Sequence, residues 1–366
     1  MSTATRGETM PMHLHVRGTV LLCGLLVAGA AGNAGAQVCG DTLGPGGTVT
    51  LTQDLVGCTG TGSASLSIIG PVKVDMAGHQ IQCDALDPGA GIHVSGEGAQ
   101  ISNGSVRGCG TYGVHLAGTG KHSLSSIAVK AIDGDGVVLF LSSDRNKITG
   151  VSVTNVSGTG AGFRVMSNKN TLRSLVATNI ANEGFVLGGT GNKVTSILAT
   201  QADKEGILVS GELNKIEDCE SVSAGNDGIE INGGGNRLRD CTASRSTGTG
   251  FVVAGDDNTV DRSDAANNGQ RGFEILGAGN TLAASTATSS TGDGVYVDAD
   301  DAKVAEVRAV NNGGNGIQVA AGTGNEITRS VALESGGTND VRDTTACAAA
   351  LWSDNTFRTS NDPCID

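Results

Sequence analysis

The sequence predicts an all-β protein: a right-handed parallel β-helix (solenoid) of about 22-residue coils with disulfide-stapled ends. Three observations lead there. A glycine followed by apolar-x-apolar recurs at Gly91, Gly113, Gly136, Gly162, Gly184, Gly206, Gly228, Gly250, Gly272, Gly294 and Gly316, at spacings of 22, 23 and 26 and then 22 throughout. An asparagine column runs in phase with it, at Asn170, Asn192, Asn214, Asn236, Asn258 and Asn280, flanked by Asn146 and Asn325 and interrupted at Ala302. Of 366 residues, 58 are Gly and only 2 % are aromatic, so any core must be built from Val, Ile, Leu and Ala. A fixed period of this length is the mark of a repeat architecture. Gly without a three-residue period excludes collagen, and 38 % apolar content is too high for a disordered chain of this charge.

From the N-terminus, residues 1–36 read as a secretory signal. Arg6 and Arg17 precede or flank an apolar run from Val20 to Ala31, and Ala34-Gly35-Ala36 is a small-x-small cleavage site before Gln37. The run is too short to span a bilayer. The chain is therefore expected to be secreted, extracellular or periplasmic, with no membrane association after cleavage. Cleavage removes two Arg and one Glu, which moves the net charge from −13 to −14. So acidic a surface argues against nucleic acid as a partner and leaves an extracellular polysaccharide open. Residues 37–70 are expected to form an N-terminal cap, 71–337 the coils, and 338–366 a C-terminal cap.

Eight cysteines remain after the leader, in four sequence-local pairs: Cys39/Cys58, Cys83/Cys109, Cys219/Cys241 and Cys347/Cys364. An even count in an exported chain suggests disulfides. No C-x-x-C occurs, so neither a zinc site nor a redox motif is implied. Cys219 and Cys241 are 22 apart, so they face inward on adjacent coils, as a disulfide or as stacked thiols. The two outer pairs staple the ends, where a solenoid exposes its edge strands and core. Trp352 and Phe357 are expected to cover the last coil.

Within one unit, Asn192 to Ser210, Val194, Ile197 and Ala199 align in every coil with apolar or small residues, and Ile207 and Val209 do the same after the glycine. Period-two alternation marks strands. Repeated strands wind into a coil, and equivalent positions then stack at ~4.8 Å. The rival at this period is a leucine-rich repeat, but the second half of each unit leaves no room for a helix and carries no run of helix formers. The asparagine column is expected to form a side-chain amide ladder. The glycine column is expected to supply a backbone angle that side chains resist.

Several segments resemble secreted right-handed parallel β-helix repeat proteins of the pectin-lyase-like superfamily. They are Cys39-Gly40-Asp41 with Leu51 to Cys58, Val74-Asp75-Met76-Ala77-Gly78-His79-Gln80-Ile81, and the ending Cys347…Trp352…Asn355-Thr356-Phe357…Cys364. The resemblance covers about residues 39–366 and implies the fold. That superfamily holds pectate lyases, polygalacturonases, and alginate epimerases and lyases, but their signatures are mostly missing here. Of the polygalacturonase set only Asp256-Asp257 is present, and Asp87-Pro88-Gly89 is half of the epimerase D-P-H-D.

The second residue after each column glycine should face outward. That column holds His93, His115, Val138, Arg164, Val186, Leu208, Glu230, Val252, Glu274, Tyr296 and Gln318, beside Tyr112, Asp135, Glu183, Glu205 and Asp227. His93, His115, Tyr112, Arg164 and Asp135 are candidate catalytic residues. Uronate elimination or epimerisation needs a base for the C5 proton, a cation for the carboxylate and an acid for the leaving oxygen, and His or Tyr, Arg, and Tyr supply these. Lys193, Lys215 and Arg237 form a basic column after the asparagines, a candidate binding track for an anionic glycan. Asp256, Asp257, Asp298, Asp300 and Asp301 do not gather into one cation site. No metal or cofactor is implied. The leading expectation is an exported module that binds polysaccharide or a cell surface, or is structural. The alternatives are a polysaccharide lyase or epimerase, and a self-associating adhesive module using Val186, Leu208, Val252 and Tyr296. The sequence does not choose between enzyme and binder.

Overall fold

The computed structural model describes residues 36–59, 64–84, 89–345 and 349–365. The expected leader, residues 1–36, lies but for Ala36 outside the described residues. The described chain is a right-handed parallel β-solenoid, and no α-helix occurs among the described residues, which removes the leucine-rich alternative. One side is a fourteen-stranded parallel sheet running from Asp41–Leu43 to Val341–Asp343. Each coil contributes to it the short strand after the column glycine, such as Phe163–Val165, Phe185–Leu187 and Ile207–Val209. The rest of each coil is a longer strand after the column asparagine, such as Thr171–Ile180 and Lys193–Ala202. Register is locked at one repeat: Phe163 pairs with Phe185 and Thr171 with Lys193.

Three bends per coil turn the chain through one circuit. Each is made by a residue in the left-handed region: Lys169 (φ 57°), Ser174 (φ 54°) and Asn179 (φ 56°) in one coil, Gly191 (φ 69°), Ser196 (φ 56°) and Gln201 (φ 55°) in the next. A non-glycine residue there costs roughly 1–2 kcal/mol. Burial of the apolar residues between the bends offsets that cost. The column glycines do not serve this purpose, which corrects the expectation. Gly184, for example, has no positive φ, and a Cβ on it would lie 2.5 Å from Gly206 O and 2.8 Å from Ala199 Cβ. The strand runs so close to the next coil's carbonyl and to the opposite wall that only a hydrogen fits. Space, and not backbone angle, selects glycine in this column.

Val194, Ile197 and Ala199 are buried, as their alternation requires. Phe163 stacks on Phe185 and Phe251 on Phe273, each pair at 4.8 Å between ring centroids. Four of the six phenylalanines are thereby spent inside the tube.

The asparagine column is a ladder of buried residues. The backbone N–H of Asn170 donates to Asn192 Oδ1, that of Asn192 to Asn214 Oδ1, and that of Asn214 to Asn236 Oδ1, at 2.8 to 2.9 Å. Each amide thus satisfies a buried donor that the turn withdraws from the strand ladder. His122 occupies the same column one coil before Asn146. Its Nδ1 accepts from the Ala99 N–H (3.2 Å), its Nε2 donates to Ala117 O (2.8 Å), and its own N–H donates to Asn146 Oδ1 (2.9 Å). Those partners require a neutral ring with the proton on Nε2.

Cys219 and Cys241 are bonded, with Cα atoms 4.5 Å apart, in the column of Leu175 and Ile197. Beyond them the same column becomes serine. Ser263 Oγ accepts from the Cys241 N–H and Ser285 Oγ from the Ser263 N–H. There the long strand divides into two short ones, Thr259–Asp261 and Asp264–Ala266. Cys39–Cys58 and Cys83–Cys109 tie the early coils. Cys364 is disulfide-bonded; its expected partner Cys347 lies outside the described residues. Trp352 is buried and donates from Nε1 to Asp343 Oδ2 (2.9 Å), and Phe357 packs against the end of the core.

Two outcomes follow. Gly184→Ala should lower unfolding stability by about 1–3 kcal/mol, the usual range for overpacking, whereas Ser196→Gly at a left-handed bend should be neutral or stabilising; an unchanged urea midpoint for Gly184→Ala would refute the spatial explanation. Burial holds the pKa of His122 below 6.5. The folded state therefore binds fewer protons than the unfolded chain at acid pH, and stability should rise as pH climbs to 6.5 and level off above it. His122→Asn, which keeps a ladder side chain, should flatten part of that slope in a Tm-against-pH series.

Candidate functional site

The outer face of the fourteen-stranded sheet carries the candidate residues. Register places His93 beside His115, His115 beside Val138, and Val138 beside Arg164. Tyr112 pairs with Asp135 in the neighbouring file. The five residues thus share one face; the buried Val138 stands between His115 and Arg164 in one file, while Tyr112 and Asp135 are direct neighbours in the other.

One group is aromatic. His93 Nδ1 and His115 Nδ1 lie 3.1 Å apart and share one hydrogen bond. Tyr112 packs on His115 at 4.8 Å between ring centroids, and Phe140 meets His115 edge-on at 5.5 Å. Phe140 comes from the longer spacing between Gly136 and Gly162, where the chain adds a turn after Asp135–Leu139. Its N–H is tied to Leu116 O (2.9 Å), and its side chain is 42 % exposed. His115 Nε2 is buried without a partner. An unpaired acceptor is tolerated better than an unpaired N–H. We therefore assign the shared proton to His115 Nδ1, donating to His93 Nδ1, which leaves His93 with Nε2–H facing outward. Burial, and then the neighbouring His93, hold the His115 pKa down to about 4, and burial lowers that of His93. At neutral pH both rings are uncharged.

The second group is ionic. Arg164 Nε donates to Asp135 Oδ1 (2.9 Å), which also accepts the Ala161 N–H (2.7 Å). Arg164 Nη2 lies 3.9 Å from Glu183 Oε2, and Lys204 Nζ lies 3.5 Å from Glu183 Oε1. The guanidinium that an anionic substrate would need is already matched by two carboxylates.

Farther along the face, Glu205, Asp227 and Glu230 converge, a group the sequence reading had only as separate column members. Asn226 donates to Glu205 and the Thr249 N–H to Asp227. Burial raises the Asp227 pKa against the lowering effect of the Thr249 hydrogen bond, and the charges of Glu230, Glu205 and Glu274 raise it further. Arg271 then covers Tyr296, with its guanidinium carbon 3.6 Å from the ring centroid, and pairs with Glu274. Val186 is buried and Leu208 and Val252 are half-buried, so this file offers little apolar surface for self-association. Lys193, Lys215 and Arg237 lie elsewhere, on the longer strands, exposed and in direct register. Asp256 and Asp300 are engaged in holding turns: their Oδ1 atoms accept the N–H groups of Ala278 and Thr323 on the following coils.

A family model described as right handed beta helix region matches residues 71–200 and 205–361, and the chain belongs to that family. No curated protein matches the sequence. Among solved structures, the periplasmic alginate epimerase AlgG is similar over 80 % of this chain and 77 % of that one, at 11 % identity and a TM-score of 0.61. The A-module of the mannuronan C-5 epimerase AlgE6 from Azotobacter vinelandii aligns over 85 % of this chain and 84 % of that one, at 16 % identity and a TM-score of 0.47. The catalytic domain of an α-1,3-glucanase aligns over 79 % and 64 %, at 9 % identity and a TM-score of 0.49. At such identities the likeness is one of fold.

The imidazole pair gives a direct check. Nitrogen-15 NMR should show His115 titrating near pH 4, with its Nδ1 protonated above that pH; a His115 pKa at the ordinary 6.5 would contradict the buried arrangement.

Proposed function

We propose that this protein is an exported carbohydrate-binding β-helix whose binding face is the outer surface of the fourteen-stranded sheet around Tyr112, His93, His115 and Phe140. One observation carries the reading. In a chain with 6 Phe, 2 Tyr and 1 Trp, most aromatic rings are used in the core and the C-terminal end, yet Tyr112 and the exposed Phe140 both gather on the His pair. Flat apolar rings beside outward N–H and O–H donors suit the two sides of a pyranose, its C–H face and its hydroxyls. Export is supported by the leader-like residues 1–36, by the disulfides, and by the periplasmic location in the name of the similar alginate epimerase.

The second reading is a uronate lyase or epimerase on the same face. It is favoured by the outward imidazole of His93 near Tyr112, and by the structurally similar protein named as a periplasmic alginate epimerase. In it, His93 is the residue that reaches substrate and His115 positions it, because His115 Nε2 is buried and its Nδ1 is engaged. The ion-paired state of Arg164 weighs against it, since that guanidinium is already matched and is not free to neutralise a carboxylate.

A glycan array followed by calorimetry separates the two. Binding without turnover is expected, with Phe140→Ala weakening it about tenfold or more, the scale of a lost aromatic platform. Retained affinity in Phe140→Ala, or no glycan bound at all, would remove the binding face. An unsaturated product absorbing in the ultraviolet, or C5 inversion seen by NMR, lost in His93→Ala, would instead establish the enzyme.

A further inference from the structure

A second surface lies on the longer strands, away from the His pair. On each coil two residues face outward between the column asparagine and the next bend. Over five consecutive coils the first file reads Lys147, Thr171, Lys193, Lys215, Arg237, and the second Thr149, Arg173, Thr195, Glu217, Arg239, each in direct register with the next. Six of these side chains are cationic and one, Glu217, is acidic, in a chain whose net charge is −13. Some bases elsewhere on the solenoid find carboxylates, among them Lys121 with Glu97, Arg164 with Asp135, Arg262 with Asp240 and Arg329 with Glu306; what sets this strip apart is its stacking of cations in register. Within the strip only Arg239 finds carboxylates, Asp240 and Asp261 at 3.7 Å. Among the described residues, Lys147, Arg173, Lys193, Lys215 and Arg237 make no ion pair, and all five are exposed.

Coil stacking brings Lys193, Lys215 and Arg237 to successive steps of ~4.8 Å. Like charges so spaced repel, modestly in water and more at low salt. A linear chain of negative charges laid along the solenoid axis would remove that repulsion. The strip is ~19 Å long at that rise. Toward the N-terminus it continues into a shallow concavity whose polar lining is Thr48, Lys73, Asp75, Gln100, Ser102, Ser123 and Ser125, mostly hydroxyl and amide groups with one cation and one acid. No aromatic side chain stands in either file of the strip.

We propose that this strip binds a linear acidic polysaccharide, with carboxylates on the cations and sugar hydroxyls on the threonines and the serine-lined concavity. A single-stranded nucleic acid carries similar charge, but its bases need stacking platforms, which this strip lacks. This site is separate from the face proposed above and stands or falls independently of it.

The test uses the full-length exported protein and three probes: a uronate oligomer of about ten sugars, a neutral glucan oligomer of the same length, and a single-stranded oligonucleotide of equal charge. The uronate should bind at low salt and weaken as salt rises, as for any interaction that releases counterions. The variant with Lys193→Ala, Lys215→Ala and Arg237→Ala should bind it at least tenfold more weakly with an unchanged Tm, while Phe140→Ala should leave this binding intact. Lys215→Ala alone, expected to lose a few-fold, serves if the triple variant does not fold. No uronate binding at low salt, or equal binding by the cation variants, overturns the proposal. Tighter binding of the oligonucleotide overturns the assignment to sugar. Loss in Phe140→Ala but not in the cation variants places the uronate on the other face and also overturns it.

Discussion

The structure depends on one constraint: each circuit of the chain must lie flat on the last, so that every buried backbone donor meets an acceptor one repeat away. The strands satisfy this for themselves. The turns do not, because a bend withdraws N–H groups from the ladder, and the inward turn after the column glycine's strand would bury them unpaired. The asparagine file answers that need, each Oδ1 taking an N–H 22 residues earlier. Once it is in place, equivalent side chains are obliged to pile in files. Phenylalanines stack face to face, and a cysteine pair one repeat apart is brought within bonding distance.

Much of this was legible because a solenoid writes its contacts into its period. The strand positions, the inward files of Val194, Ile197 and Ala199, the amide ladder, and the meeting of Cys219 with Cys241 all follow from counting by 22. The glycine file was read correctly as obligatory but for the wrong cause. A sequence shows that a side chain is forbidden, not whether an angle or a neighbour forbids it, and here the neighbour is the carbonyl of the next coil. His122 was missed because it takes an asparagine's place in the ladder, in a coil where the spacing is not 22.

The placement of the candidate residues on one face was legible, and their grouping was not. Column counting put His93, His115, Tyr112, Asp135 and Arg164 on one face, and they are there. It gave no sign that a buried Val138 parts His115 from Arg164, because an apolar residue in an outward file looks like any other strand residue until its burial is known. Nor did it show that Arg164 is committed to Asp135 and Glu183, which depends on side-chain reach. Phe140 lies in the added turn, outside the period, where counting has no purchase. What emerges is a molecule with two unlike patches: an uncharged aromatic one around His93, His115, Tyr112 and Phe140 on the fourteen-stranded sheet, and a cationic one on the longer strands of an otherwise acidic body.

The stacking itself can be tested without reference to any ligand. Two cysteines introduced on the outward face at Thr195 and Glu217 stand opposite each other in register, so they should form a disulfide in the exported protein, read as a mass loss of two hydrogens with the natural pairs intact. Cysteines at Thr195 and Glu220, displaced by three residues along the same strand, should remain reduced. A bond in the displaced pair and none in the aligned pair would mean that the coils do not repeat every 22 residues.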